Sequence, residues 1–181
     1  SNFKLSDRQK DIARSNNKRL RVKGVAGCGK TQVVANRAVE QHLKTGDRVL
    51  IITFNISLIQ YIRMRINQVP ADFSPNMFEV INYHQFFKSK ARQYTDKTIS
   101  LLDFDDSNFF TPYRDKIQKY KSIIIDEVQD TNQKQWDIFS TVFFKDGSKE
   151  VSEHYLIVVG DPKQSIYSFQ GTDLEVYKQA V

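Results

Sequence analysis

Arg19-Leu20-Arg21-Val22-Lys23-Gly24-Val25-Ala26-Gly27-Cys28-Gly29-Lys30-Thr31 decides the fold. Gly24 to Thr31 reads G-x-x-x-x-G-K-T, the phosphate-binding loop pattern. Gly24, Gly27 and Gly29 permit a tight turn whose backbone N–H groups face phosphate oxygens, with the small residues Ala26 and Cys28 between them. The following helix aims its positive end at the same anion. Lys30 is placed to reach the β- and γ-phosphates, and the Thr31 hydroxyl to bind Mg²⁺. Both flanks fit: Leu20 and Val22 make a short apolar strand before the loop, and Val33, Val34, Ala38 and Val39 an amphipathic run after it.

A second stretch supplies the complementary chemistry. Ser122-Ile123-Ile124-Ile125-Asp126-Glu127 is an apolar strand that delivers carboxylates at its C-terminal end. Ligands of open α/β sheets sit outside those strand ends. Asp126 is therefore expected to face the Mg²⁺ held by Thr31, and Glu127 to orient or deprotonate an attacking water. Together the two stretches predict a nucleoside triphosphate site.

The rest of the chain repeats a strand–helix rhythm. Ser6 and Gln9 stand at capping-box spacing for a helix running to about Asn16. A helix is predicted from Lys30 to about Lys44, stopped by Gly46. Val49–Thr53 is a continuous apolar run, the mark of a parallel strand buried on both faces. Ile56, Ile59, Ile62, Met64 and Ile66 follow at mostly helical spacing. Further strands are expected at Met77–Ile81, Ser122–Ile125 and Tyr155–Val159. Further helices are expected at Tyr83–Tyr94, Pro112–Tyr120, Thr131–Phe144 and from Asp173 onward. Residues 95–121 are expected to hold little more than a connection. The pattern predicts an α/β, three-layer P-loop NTPase fold, a parallel sheet with helices on both faces, as one domain over residues 1–181.

Composition sets the outer bounds. The 181 residues carry a net charge of +6, which permits a polyanionic partner without identifying one. No apolar run approaches the roughly 20 residues that span a bilayer. The single cysteine, Cys28, excludes an internal disulfide and suits a reducing cytoplasm.

Several separate motifs, in order, resemble the N-terminal RecA-like motor domain of superfamily 1 helicases of the UvrD/Rep type. Leu5-Ser6-x-x-Gln9 is similar to the Q motif and Gly24–Thr31 to motif I. Thr53-Phe54-Asn55 resembles motif Ia, and Val80-Ile81-Asn82-Tyr83-His84-Gln85-Phe86 motif Ib. Asp126-Glu127-Val128-Gln129-Asp130 has the D-E-x-Q-D form of motif II. Gly160-Asp161-Pro162-Lys163-Gln164-Ser165-Ile166-Tyr167-Ser168-Phe169-Gln170-Gly171 matches motif III.

The resemblance implies ATP and Mg²⁺ as cofactors, with Gln9 reading adenine and Gln164 contacting the γ-phosphate or the attacking water. It implies single-stranded DNA or a DNA junction as partner, with contacts from Thr53, Phe54, Asn55, Tyr83, His84, Tyr167, Phe169 and Gln170. It also implies 3′-to-5′ movement and a second RecA-like domain in the same full-length chain, so that the 181 residues are expected to be an N-terminal fragment with little hydrolysis of its own.

Three positions depart from the family pattern. Asn82 and Gln85 stand where motif Ib usually has threonine and serine, and Gln170 where motif III commonly has arginine before the glycine. These departures leave open a second reading, a helicase-like module that binds nucleotide or a partner protein without unwinding. The D-E-x-Q-D and G-D-x-x-Q-S-I-Y stretches argue against another P-loop enzyme such as a kinase.

Overall fold

The computed structural model describes residues 5–24, 29–95, 108–117, 120, 122–126, 131–143, 155–160 and 172–175. Among these, six strands form one sheet: β1 (Arg19–Lys23), β2 (Val49–Thr53), β3 (Phe78–Asn82), β4 (Ser122–Asp126), β5 (Tyr155–Gly160) and β6 (Thr172–Glu175). Their order is β3-β2-β4-β5-β1-β6 and every pairing is parallel. The register runs straight across: Ile81, Ile52, Ile125, Val158, Arg21 and Asp173 stand in one row.

Alternation along the strands divides two cores. Leu50, Ile52, Ile123, Ile125, Leu156 and Val158 face one layer; Val49, Ile51, Ile124, Ile157 and Val159 face the other. The second face is covered by α1 (Asp7–Arg14), α2 (Lys30–Thr45) and α3 (Leu58–Asn67), through Ile12, Val33, Val34, Ala38, Ile62 and Ile66. The first is covered by α4 (Tyr83–Thr95), α5 (Arg114–Ile117) and α6 (Gln133–Phe143), and is largely aromatic: Tyr83, Phe86, Phe87, Phe110, Trp136, Phe139 and Phe143. The expected three-layer α/β architecture is what forms.

Local chemistry explains most boundaries. Ser6 and Gln9 form the full capping box of α1. Gly46 ends α2 at φ 72°, a left-handed conformation that glycine adopts without a Cβ penalty. Asn132 opens α6: its Oδ1 accepts from the Gln135 backbone N–H at 2.8 Å, and its own N–H donates to Gln135 Oε1 at 3.1 Å. Around Pro112 a 3-10 turn (Thr111–Tyr113) leads into α5, which places Phe110 and Ile117 in the aromatic core.

Two expectations need correction. Ile56 is 63 % exposed and Met64 is also exposed. The core-facing stripe of α3 is the buried Ile62 and Ile66 with the partly buried Leu58 and Ile59; Met64, two residues from Ile62, falls about 200° around the helix. Residues 172–175, expected to begin a helix, form strand β6 against β1. β6 satisfies the β1 backbone edge that faces away from β5, and Leu174 stands between Asp173 and Glu175 at the period of a strand.

Candidate nucleotide site and the neighbouring sheet edge

Parallel strands bring all their C-terminal ends to one edge. Lys23 stands opposite Gly160, and the N–H of the buried Gly24 donates to the Gly160 carbonyl at 3.2 Å, extending the β1–β5 ladder by one residue. Gly29 is the N-cap of α2. Its carbonyl accepts the first helical bond, from the Val33 N–H at 3.2 Å. Gly29 has φ 89° and ψ 21°, so its backbone alone selects glycine. A Cβ there would also fall on the amide nitrogen of Gln9.

That contact joins two motifs 20 positions apart in the chain. Gln9 Oε1 accepts from the Ser6 backbone N–H at 2.9 Å, which leaves the Nε2 end of the same amide over Gly29. The capping role and a role at the loop are therefore compatible: one end of the amide serves each.

Lys30, the first residue of α2, is only 9 % exposed, and Thr31 follows it, half-buried. A lysine at this depth beside the positive end of a 16-residue helix is the environment of an anion receptor. On the same edge, the last residues of β3, β2 and β4 lie abreast as Asn82, Thr53 and Asp126. They are 4 %, 0 % and 1 % exposed, a polar row at the level where the apolar rows stop. Strand β5 alone separates β4 from β1, so Asp126 stands two strand spacings, about 9–10 Å, from the β1 line. Among the described residues no cluster of three or more His, Cys, Asp or Glu side chains forms a metal cage. One strand-end carboxylate and one helix-start hydroxyl suit a hard cation that keeps waters and takes the rest of its oxygens from phosphate. The residues present thus fit Mg²⁺ with a polyphosphate.

Beside this lies a second kind of surface. Thr53 Oγ1 accepts from the Asn55 N–H at 3.1 Å, and Asn55 Oδ1 accepts from the N–H and hydroxyl of Ser57 at 3.1 and 2.6 Å. These bonds fold the β2–α3 turn and leave Asn55 exposed. Phe54 is half-buried and stacks on Tyr83 at 5.1 Å with an interplanar angle of 21°. Asn82 Nδ2 donates to the Thr53 carbonyl at 3.3 Å, and its Oδ1 accepts from the His84 N–H at 3.0 Å. One buried amide thus caps α4 and ties β3 to β2. His84 is exposed, edge-on to Tyr83 at 5.4 Å. Partial burial and then Lys88 hold its pKa below the usual imidazole value.

Burial sorts the expected nucleic-acid contacts. Phe54, Asn55 and His84 reach the surface. Thr53 and Tyr83 are buried: Thr53 bonds the turn from beneath, and Tyr83 is a core residue whose hydroxyl donates to the Gln135 carbonyl at 3.4 Å. Burial also raises the Tyr83 pKa, so the phenol stays protonated. Ala26, Gly27, Cys28, Glu127, Gln129, Asp130, Gln164, Tyr167, Phe169 and Gln170 lie outside the described residues.

Sequence reasoning missed two features. Asn82 directly precedes a helix, and beside its departure from motif Ib it carries a readable capping signal. Arg37 is a charged residue inside the apolar stripe of α2, between Val33, Val34 and Ala38. It is 1 % exposed, and its guanidinium donates to the carbonyls of Ile12, Ala13, Ser15 and Asn17 at the end of α1. Burial lowers its pKa to about 10, which leaves it cationic at neutral pH.

Comparison with known proteins bears on this arrangement. In a large terminase ATPase domain from Thermus phage P74-26, the likeness covers 91 % of this chain and 68 % of that one, with a TM-score of 0.55 and 14 % identity. For the Pif1 helicase from Candida albicans the values are 97 %, 40 %, 0.57 and 13 %. These likenesses concern the fold. In sequence, the RecBCD enzyme subunit RecB of Buchnera aphidicola subsp. Baizongia pistaciae is 38 % identical over 93 residues, 51 % of this chain and 7 % of that subunit. RecB of Mycobacterium tuberculosis is 34 % identical over 95 residues, 50 % of this chain and 8 % of its own length. The chain thus spans under a tenth of the curated relatives it matches. No described helix is long and apolar enough to cross a membrane. Residues 82–181 match the UvrD/REP helicase N-terminal domain, and the chain belongs to that family.

Proposed function

We propose that this chain is the ATP-binding motor domain of a DNA helicase or translocase. The observation that carries the reading is the shared edge: Gly29 in its left-handed conformation, Lys30 buried at the start of α2, and Asp126 buried at the end of β4. Backbone amides of the loop after Gly24 and the positive end of α2 hold the phosphates. Lys30 neutralises the terminal phosphoryl oxygens. The Thr31 hydroxyl and the Asp126 carboxylate bind Mg²⁺. Glu127 takes the proton of the attacking water, Gln164 lies against the γ-phosphate, and Gln9 reads the adenine edge. The nucleotide itself supplies the phosphoanhydride bond whose cleavage drives movement. Phe54, Asn55 and His84, with Tyr167, Phe169 and Gln170, contact single-stranded DNA beside the nucleotide site. In the full-length protein a second RecA-like domain closes over the site, and the strand moves 3′ to 5′.

The alternative, a binding module without motor activity, drew on Asn82, Gln85 and Gln170. Asn82 now has a structural role that any helicase could use, which removes one of those three supports.

The test is ligand-linked stability. Mg-ATP is expected to raise the melting temperature of the chain, and Lys30→Ala and Asp126→Asn to abolish the rise while leaving the unliganded melt near wild type. An equal rise in the Lys30→Ala variant would overturn the site. For the motor, the full-length protein should hydrolyse ATP faster with single-stranded DNA, and Glu127→Gln should stop it; hydrolysis indifferent to Glu127 would favour the binding module.

A further inference from the structure

The C-terminal half of α1 is held far more firmly than a short surface helix needs. Arg37 bonds four carbonyls around its end, where the helix dipole is negative. Ile12 and Ala13 are buried against α2. Arg14 pairs with Glu40 at 3.6 Å, and Lys44 donates to Asn16. Gln41, with its amide oriented to satisfy both neighbours, accepts from Arg37 Nη2 at 3.1 Å and donates to the Ser122 hydroxyl at 3.2 Å. Ser122 begins β4, the strand that ends in Asp126. At the other end of α1, Gln9 lies over Gly29. An eight-residue helix is about 12 Å of stiff rod, so the end that is clamped sets the end that reaches the loop.

We propose that Arg37 is a positioning residue for base recognition: by clamping the C-terminal end of α1 onto α2, it fixes the Gln9 amide over the phosphate loop and thereby sets adenine preference. The inference rests on the proposed role of Gln9 as adenine reader. A lysine cannot replace the fork, because one ammonium does not reach four carbonyls spread over Ile12 to Asn17. The network acts on the base and not on the phosphates, which Lys30 and the loop amides bind from α2 itself.

The experiment measures binding of Mg-ATP, Mg-GTP and inorganic tripolyphosphate by this chain, as wild type, Gln9→Ala, Arg37→Met and the double variant. Arg37→Met is expected to cut the ATP-over-GTP preference about tenfold, the worth of one hydrogen bond. Tripolyphosphate affinity should stay within about twofold, and Arg37→Met should add nothing in the Gln9→Ala background. If Arg37→Met does not fold, Arg37→Lys carries the same readout with a smaller loss. A folded Arg37 variant that keeps full preference while Gln9→Ala loses it overturns the inference and leaves the base reading standing. Parallel loss of tripolyphosphate binding also overturns it, since that marks a general structural role. Preference retained in Gln9→Ala overturns the base reading, and the inference with it.

Discussion

The C-terminal edge of the sheet is built in two ways. At the β1 end the candidate surface is backbone: a ladder bond from Gly24 to Gly160, a left-handed Gly29, and the first amides of α2, which no helical carbonyl satisfies. At the β2 and β3 ends it is side chains: a half-buried Phe54 on a buried Tyr83, an exposed His84, and Asn82 beneath them. A backbone surface tolerates almost no variation, because adding one carbon at Gly29 meets both a forbidden φ and the Gln9 amide. A side-chain surface can be rebuilt from several residue types. In the function proposed above, the first kind would hold phosphate and the second would stack on bases without sequence preference.

The sharpest way to break this contrast is Gly29→Ala. A Cβ at φ 89° costs about 1–2 kcal/mol in conformation alone, and the clash displaces Gln9. Mg-ATP binding is expected to fall by about 100-fold or more, as when a preorganised backbone donor is lost. Retained binding, measured by titration with a fluorescent ATP analogue, would show that this backbone is not the receptor.

On the side-chain half, Tyr83→Ala and Phe54→Ala separate support from surface. Tyr83 is fully buried, so its truncation should cost about 3–5 kcal/mol in denaturant unfolding. Phe54→Ala should cost much less stability, yet weaken single-stranded DNA binding by about 1–3 kcal/mol whatever the sequence. If both variants lose stability equally and DNA affinity is untouched, Phe54 is core and the surface lies elsewhere.

How far each half could be read in advance follows from the same contrast. Gly24, Gly29, Lys30 and Asp126 were legible because backbone geometry and ion chemistry demand those residues at that spacing. The apolar strand runs were legible because a parallel strand buried on both faces leaves no room for polar residues, and Leu50 to Ile52 and Ile123 to Ile125 obey that. Tyr83 was not legible as core, since an aromatic after a strand end reads the same whether it faces a base or packs on Phe87. Nor was β6, whose few residues become a strand only because β1 offers an edge from far along the chain. The Arg37 clamp joins residues 20 to 25 positions apart, and no local pattern reports such a contact.

Asn82 sharpens the comparison further. Alanine there removes a helix cap and a buried bond to the Thr53 carbonyl, a loss of about 1–2 kcal/mol by urea unfolding. Threonine should restore part of the cap but not the reach to β2. A threonine variant as stable as wild type would mean that the tie to Thr53 contributes nothing.

The smallest expected effect concerns His84. Burial and then Lys88 lower its folded-state pKa, so the unfolded chain takes up the proton first as pH falls. The native state therefore loses stability from about pH 6.5 downward, the unfolded value, until the lowered folded value is passed. His84 is exposed, so the loss is small and best read as a difference between two proteins. Wild type and His84→Gln melted between pH 7.5 and 5.5 share every other titrating group. Wild type should lose slightly more melting temperature across that interval. Identical slopes would mean that the Lys88 field and the partial burial cancel against a contact that favours the imidazolium. The exposed ring would then meet phosphate as a cation, where its lowered pKa otherwise favours the neutral imidazole beside Tyr83.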